Sequence, residues 1–164
     1  MGSGKSTVGR ILSSLLGCGF TDLDEYIGAK IGRSPAQILR EDGEVRFRAI
    51  EAEALRDLVT MHQLTGKDTV IALGGGTIMT VSLRRLILED TICVYLQAAE
   101  ESLRDRIGSA DDRPLACERF TERLHERLPV YEKAAIMVAT DGKSPEEVAD
   151  EIRLELKKRT GNEL

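Results

Sequence analysis

Apolar residues recur at Val8, Ile11, Leu12, Leu15 and Leu16, three and four positions apart, and Gly17 follows them. That spacing lays one stripe along an α-helix opening near Lys5, and glycine can take the left-handed conformation that ends it. Short apolar runs rich in β-branched residues occupy 69–73, 92–96 and 135–139, with a weaker one at 19–22. Each is bounded by Gly, polar or turn residues, which predicts strands. Helical patterns separate them, the alternation of a parallel sheet with crossover helices.

Ser34 followed by Pro35 predicts an N-cap and first turn, with Ile38 and Leu39 on the core side and Gly43 closing the helix. A longer helix is expected over 44–64, burying Phe47, Ile50, Ala54, Leu58 and Met61. Ser144-Pro145-Glu146-Glu147 opens a last helix running towards Thr160. Repeats, low-complexity tracts and linkers are missing, so residues 1–164 read as one domain. Residues 108–118 are polar, small and helix-breaking. A plain surface loop would explain them, and their length favours a lid.

The 164 residues include 23 Lys+Arg and 28 Asp+Glu, a net charge of −5, with 41% hydrophobic and 4% aromatic residues. The negative balance argues against a general binder of nucleic acid or anionic membranes, while leaving room for a local basic pocket. No apolar run approaches a membrane span and no signal peptide opens the chain. Cys18, Cys93 and Cys117 are odd in number and lack C-x-x-C spacing, which suits reduced thiols in a cytoplasmic protein. His62 and His125 have no ligand-like companions and read as helix-surface residues.

Gly2-Ser3-Gly4-Lys5-Ser6-Thr7 stands at the mouth of the first helix. Glycines let backbone N–H groups curl around a phosphate, and the helix N-terminus adds partial positive charge. Lys5 can then reach the outer phosphates and the Ser6 hydroxyl can ligate Mg²⁺. Asp22 and Asp24 follow the weak strand. If the chain stayed extended there, both carboxylates would point the same way from the edge where α/β sheets bind ligands. One could serve the Mg²⁺ shell and the other accept a substrate proton. Arg48 and Glu51, three apart on a helix, read first as a surface ion pair. Gly74-Gly75-Gly76 follows a strand and is either a flexible turn or a close approach to a ligand. Arg106, Arg113, Arg119, Arg123 and Arg127 form the densest basic stretch, interleaved with Glu118, Glu122 and Glu126.

Taken in order, M-G-S-G-K-S-T-V-G-R, T-D-L-D, D-G-E-V-R-F-R-A-I-E, L-G-G-G, D-R-P-L and R-L-P-V-Y resemble the shikimate kinases over nearly the whole chain. The phosphate loop alone fits many nucleotide enzymes, whereas the ordered set is far more restrictive. The resemblance implies an α/β phosphate-loop NTPase-type parallel sheet flanked by helices, like the nucleoside-monophosphate kinases. It implies transfer of the ATP γ-phosphate to the 3-hydroxyl of shikimate, with Mg²⁺ as cofactor and a monomer as the working unit. On this reading Gly2, Ser3, Gly4, Lys5, Ser6 and Thr7 bind ATP, and Lys5 neutralises the transferring group. Ser6 ligates the metal directly and Asp22 acts on it through water. Asp24 binds the shikimate hydroxyls and is the expected base. Arg48 and Arg127 clamp the carboxylate, Glu51 orients Arg48, and Gly75 and Gly76 admit the ring. Substrate-binding helices would span about 25–64. Arg113 would be the catalytic lid residue, and Arg106 and Lys143 would lie near the adenine. Leu39 stands where some members carry an aromatic wall residue.

Gluconate-type and adenylate kinases share the loop and the fold, but the D-x-D, F-R-x-x-E and G-G-G elements together favour shikimate. A non-catalytic nucleotide-binding remnant is the rival from another class. Its support is that the full loop pattern begins before Met1, so the first strand is expected to be missing. A chain starting there should be short by about ten residues and correspondingly destabilised.

Overall fold

The computed structural model describes residues 3–107 and 114–161, with side chains for all of these except 105–107 and 114–119. The elements run α1 (Lys5–Leu16), β1 (Gly19–Asp22), α2 (Leu23–Ile31), α3 (Pro35–Glu41), α4 (Gly43–Thr65) and β2 (Thr69–Ala72). A 3-10 turn at Thr77–Met79 precedes α5 (Val81–Glu89), β3 (Val94–Gln97), α6 (Glu100–Ile107), α7 (Pro114–Tyr131), β4 (Ile136–Ala139) and α8 (Pro145–Thr160). All pairing is parallel. β1 pairs with β2 from Gly19 opposite Thr69 to Asp22 opposite Ala72, and β3 pairs with β4 from Val94 opposite Ile136. Among the described residues no strand joins the two pairs. An apolar cavity of about 640 Å³ lies between them, lined by Val70 and Ile71 on one side and Val94 and Leu96 on the other.

Local chemistry accounts for the element ends. Gly17 closes α1 in the left-handed region at φ 64°. Ser34 and Ser144 each accept from the backbone three residues on, while Gln37 and Glu147 reach back, completing two capping boxes with proline in the first turn. The helix over 34–42 departs from expectation at its end: Asp42 is the junction, and Gly43 opens α4 at φ 81° instead of closing α3.

Two apolar clusters hold the layers. One joins α2, α3, α4 and α5 through Leu23, Ile27, Ile38, Phe47, Ile50, Leu55 and Leu83. The other joins α1, α8 and the β3–β4 pair through Val8, Leu12, Leu96, Val138, Val148 and Ile152. Three expected core positions are open to solvent: Leu15 is 47% exposed, Leu39 40% and Met61 57%. The two-turn helix α3 buries Ile38 alone. Over the 23 residues of α4 the buried face runs through Phe47, Ile50, Glu51, Ala54, Leu55 and Val59, leaving Met61 outside it. No helix among the described residues is long and apolar enough to cross a membrane.

The expected lid at 108–118 lies partly outside the described residues, and its remainder, from Pro114, forms the start of α7. Cys18 and Cys93 are free, and burial pushes both thiols above their ordinary value. His62 packs at the end of α4 with its Nδ1 2.9 Å from the Lys67 carbonyl.

Candidate active site

Gly4 takes φ 80° and ψ 15°, a left-handed turn that a side chain would strain, and its carbonyl accepts the first α1 bond from Val8 at 2.9 Å. The first turn of α1 carries no acid of its own, so no side chain of that turn competes for its free N–H groups. Lys5 Nζ donates to Ser3 Oγ over 3.2 Å, folding the ammonium back along the loop. Burial holds the Lys5 ammonium below its ordinary pKa, with Asp24 and Asp22 pulling it up and Arg127 pushing it down. These four side chains therefore share one electrostatic neighbourhood. Gly2 lies outside the described residues, and Thr7 is exposed on the first turn.

Asp22 ends β1 and caps α2. Its Oδ1 accepts from the backbone of Asp24 at 3.0 Å and Glu25 at 3.4 Å, while Oδ2 accepts from Ser6 Oγ at 2.6 Å. The chain does not stay extended through Asp24: α2 begins at Leu23, so Asp24 enters the site from the first turn of a helix. The short polar side chain of Asp22 favours this cap over one more strand residue. Although Asp24 has an open edge, partial burial first, then Asp22 and Glu51, push its carboxyl above the ordinary aspartate value. Lys5 and Arg48 oppose that rise without cancelling it.

The Arg48–Glu51 pair is not a surface pair. Glu51 is 1% exposed, its Oε2 accepts from Arg48 Nη1 at 2.8 Å, and its Oε1 accepts from the Thr77 hydroxyl at 2.6 Å. Arg48 Nη2 also reaches Glu44 at 3.2 Å. The glycine turn after β2 makes room for this arrangement. A Cβ on Gly76 would sit 2.6 Å from Arg48 Nη2, so the space there belongs to the guanidinium and not to an open face. A Cβ on Gly74 would press on Thr77 and Glu51 and touch Asp24. The Gly75 carbonyl accepts from the Tyr131 hydroxyl, and burial holds that phenol above its ordinary pKa while the nearby Arg127 opposes the rise.

Ser3, Gly4, Lys5, Ser6, Asp22, Asp24, Arg48, Glu51, Gly75, Gly76 and Arg127 are thus joined by the C-terminal ends of β1 and β2 and by α7. Lys143 stands apart in the turn between β4 and α8, where it pairs with Glu151 at 2.5 Å. The side chain of Arg106, on α6, and the whole of Arg113 lie outside the described residues. Thr77 and Tyr131 are members of the site that sequence reasoning left without a role. Tyr131 closes the R-L-P-V-Y stretch, and Thr77 follows the three glycines; neither spacing reveals a hydrogen bond across 26 or 56 residues.

A left-handed glycine turn at a helix start, a carboxylate beside the Ser6 hydroxyl and a second carboxylate in the electrostatic reach of Lys5 are the parts found in phosphate-loop phosphotransferases of the α/β class. The shikimate kinase family model matches residues 1–157. A shikimate kinase of Thermus thermophilus is 42% identical over 159 residues, covering 93% of this chain and 83% of that protein. One of Thermodesulfovibrio yellowstonii is 37% identical over 157 residues, covering 93% and 88%. Among solved structures, the shikimate kinase of Acinetobacter baumannii in complex with shikimate superposes with a TM-score of 0.84 at 33% identity, covering 100% of this chain and 90% of that one. The Aquifex aeolicus enzyme gives 0.82 at 34% identity, covering 99% and 95%. The chain belongs to the shikimate kinase family.

Proposed function

We propose that this chain transfers the γ-phosphate of ATP to the 3-hydroxyl of shikimate, with Mg²⁺ as cofactor. The observation that carries this reading is the convergence of Lys5, the Ser6–Asp22 pair, Asp24 and the buried Arg48–Glu51 pair at the ends of β1 and β2. Family membership and the shikimate-bound neighbour support the same acceptor.

Phosphoryl transfer needs position and positive charge more than covalent help from the protein. Gly2, Ser3, Gly4 and Thr7 would bind the phosphates through the loop, and Lys5 would neutralise the β- and γ-oxygens. A hydroxyl and a carboxylate 2.6 Å apart are hard oxygen donors suited to Mg²⁺. Ser6 would hold the ion directly and Asp22 through water, and the bound ion would offset phosphate charge. Asp24 takes the proton of the 3-hydroxyl as its oxygen bonds to the γ-phosphorus and the bond to the bridging oxygen breaks, releasing ADP. Its raised pKa brings it nearer to a matched proton acceptor. Arg48 and Arg127 grip the shikimate carboxylate, with Glu51 aiming Arg48. Arg106, Arg113 and Lys143 complete the nucleotide side, and the protein works as a cytoplasmic monomer.

The test is ADP release coupled to acceptor addition. Turnover with shikimate and Mg·ATP, and little with gluconate or a nucleoside monophosphate, is the expected result; equal turnover of gluconate would overturn the acceptor assignment.

A further inference from the structure

Arg48 and Arg127 approach the site from different helices, α4 and α7. Both helices pack on the 3-10 turn at Thr77–Met79, directly after the glycines. Each arginine also stands beside a residue of its own helix that bonds to the segment 74–77, Glu51 for Arg48 and Tyr131 for Arg127. On the α4 side the link runs from Arg48 to Glu51 Oε2, and from Glu51 Oε1 to the hydroxyl of Thr77, which is 0% exposed. The Thr77 amide in turn donates to the Gly74 carbonyl at 3.1 Å. On the α7 side Arg127 lies four residues before Tyr131, one helical turn back and close enough to act electrostatically on its phenol, and the Tyr131 hydroxyl donates to the Gly75 carbonyl. Tyr131 is held in place by Tyr95, with ring centroids 5.0 Å apart.

We propose that Thr77 and Tyr131 are positioning residues that tie the two guanidinium groups to one glycine turn, so that their spacing is set by that turn and not by either helix. The proposal rests on the reading of Arg48 and Arg127 as the carboxylate clamp. A carboxylate gripped from two sides needs both forks at the correct separation, and long arginine side chains do not keep it unaided. Glu51 is buried with both oxygens engaged, one by Arg48 and one by Thr77. Removing the Thr77 hydroxyl strands Oε1 and frees the carboxylate to turn away from Arg48. Removing the Tyr131 hydroxyl leaves the ring packed on Tyr95 but takes away the polar group that stands between Arg127 and the Gly75 carbonyl.

The experiment is steady-state kinetics of Thr77→Val, Tyr131→Phe and their double variant, with Thr77→Ser as rescue and melting curves as a fold check. Each single variant should raise KM for shikimate by about tenfold, leave KM for ATP within about twofold, and change kcat less than KM. Thr77→Ser should restore the wild-type KM. The double variant should lose less than the product of the singles, because a clamp already splayed has less spacing left to lose. Against the neutral carboxamide of shikimate, both variants should match wild type. Unchanged KM for shikimate in both variants, equal losses for ATP, or equal losses with the carboxamide would each overturn the proposal. Arg48→Ala and Arg127→Ala separate the two levels. If these leave KM for shikimate unchanged, the clamp itself is wrong; if they raise it while Thr77→Val and Tyr131→Phe do not, only the positioning role falls. Should Thr77→Val fail to fold, Tyr131→Phe alone decides, since its packing surface is kept.

Discussion

The Ser6 hydroxyl donates to Oδ2 of Asp22 across 2.6 Å, joining the first turn of α1 to the end of β1. The same carboxylate caps α2 through its other oxygen. One aspartate thus orients the Ser6 hydroxyl and starts the helix that carries Asp24. Asp22→Asn should keep the cap, since the amide oxygen can still accept from the α2 backbone, and lose the acceptor for Ser6, because one amide cannot accept in both directions as a carboxylate does. A raised Mg²⁺ requirement in turnover assays, with little change in melting temperature, is the expected pair of effects.

Asp24→Asn keeps the shape and removes the proton acceptor. Turnover should fall by about 10²–10⁴-fold while nucleotide binding, measured by calorimetry, stays near wild type. Loss of ATP affinity in parallel with turnover would count against the base assignment.

Asp24 also gives a pH signature. Its folded pKa lies above the ordinary 3.8, so the folded state holds a proton more tightly than the unfolded chain. Stability from this group is therefore lost as pH rises through the folded value. Asp24→Asn should melt higher than wild type at neutral pH, and the gap should close below about pH 3.8. In kcat/KM the acid limb should sit above 3.8 and the alkaline limb, set by Lys5, below 10.5.

Gly76→Ala tests the space occupied by Arg48. At φ −99° the backbone tolerates alanine, but the new methyl would stand 2.6 Å from Arg48 Nη2. The guanidinium must move, so KM for shikimate should rise several-fold while KM for ATP holds. An unchanged shikimate KM would show that the clamp does not depend on this approach.

Ser144→Ala removes one half of the capping box on α8, where Ser144 Oγ accepts from Glu147 N at 3.2 Å. A loss of about 1 kcal/mol in chemical denaturation, with kinetics unchanged, is expected.

Local signals were enough for much of the architecture. Gly17 ending α1, the Ser34 and Ser144 caps and the strand at Gly19–Asp22 depend on chemistry within a few residues, which a sequence displays directly. The turn at Gly4 into α1 is equally local, since one left-handed glycine sets it. Three features were decided only when distant segments met. The helix start at Leu23 wins over continued strand because Asp22 caps it while also accepting from Ser6, sixteen residues earlier. The Arg48–Glu51 pair changes from a surface pair to a buried one because Thr77, 26 residues on, supplies Glu51's second donor. Tyr131 gains its place because Gly75, 56 residues before it, offers a carbonyl and Tyr95 a ring. Helix and strand signals are written in neighbouring residues, whereas burial of a charge depends on which partners tertiary packing brings to each oxygen.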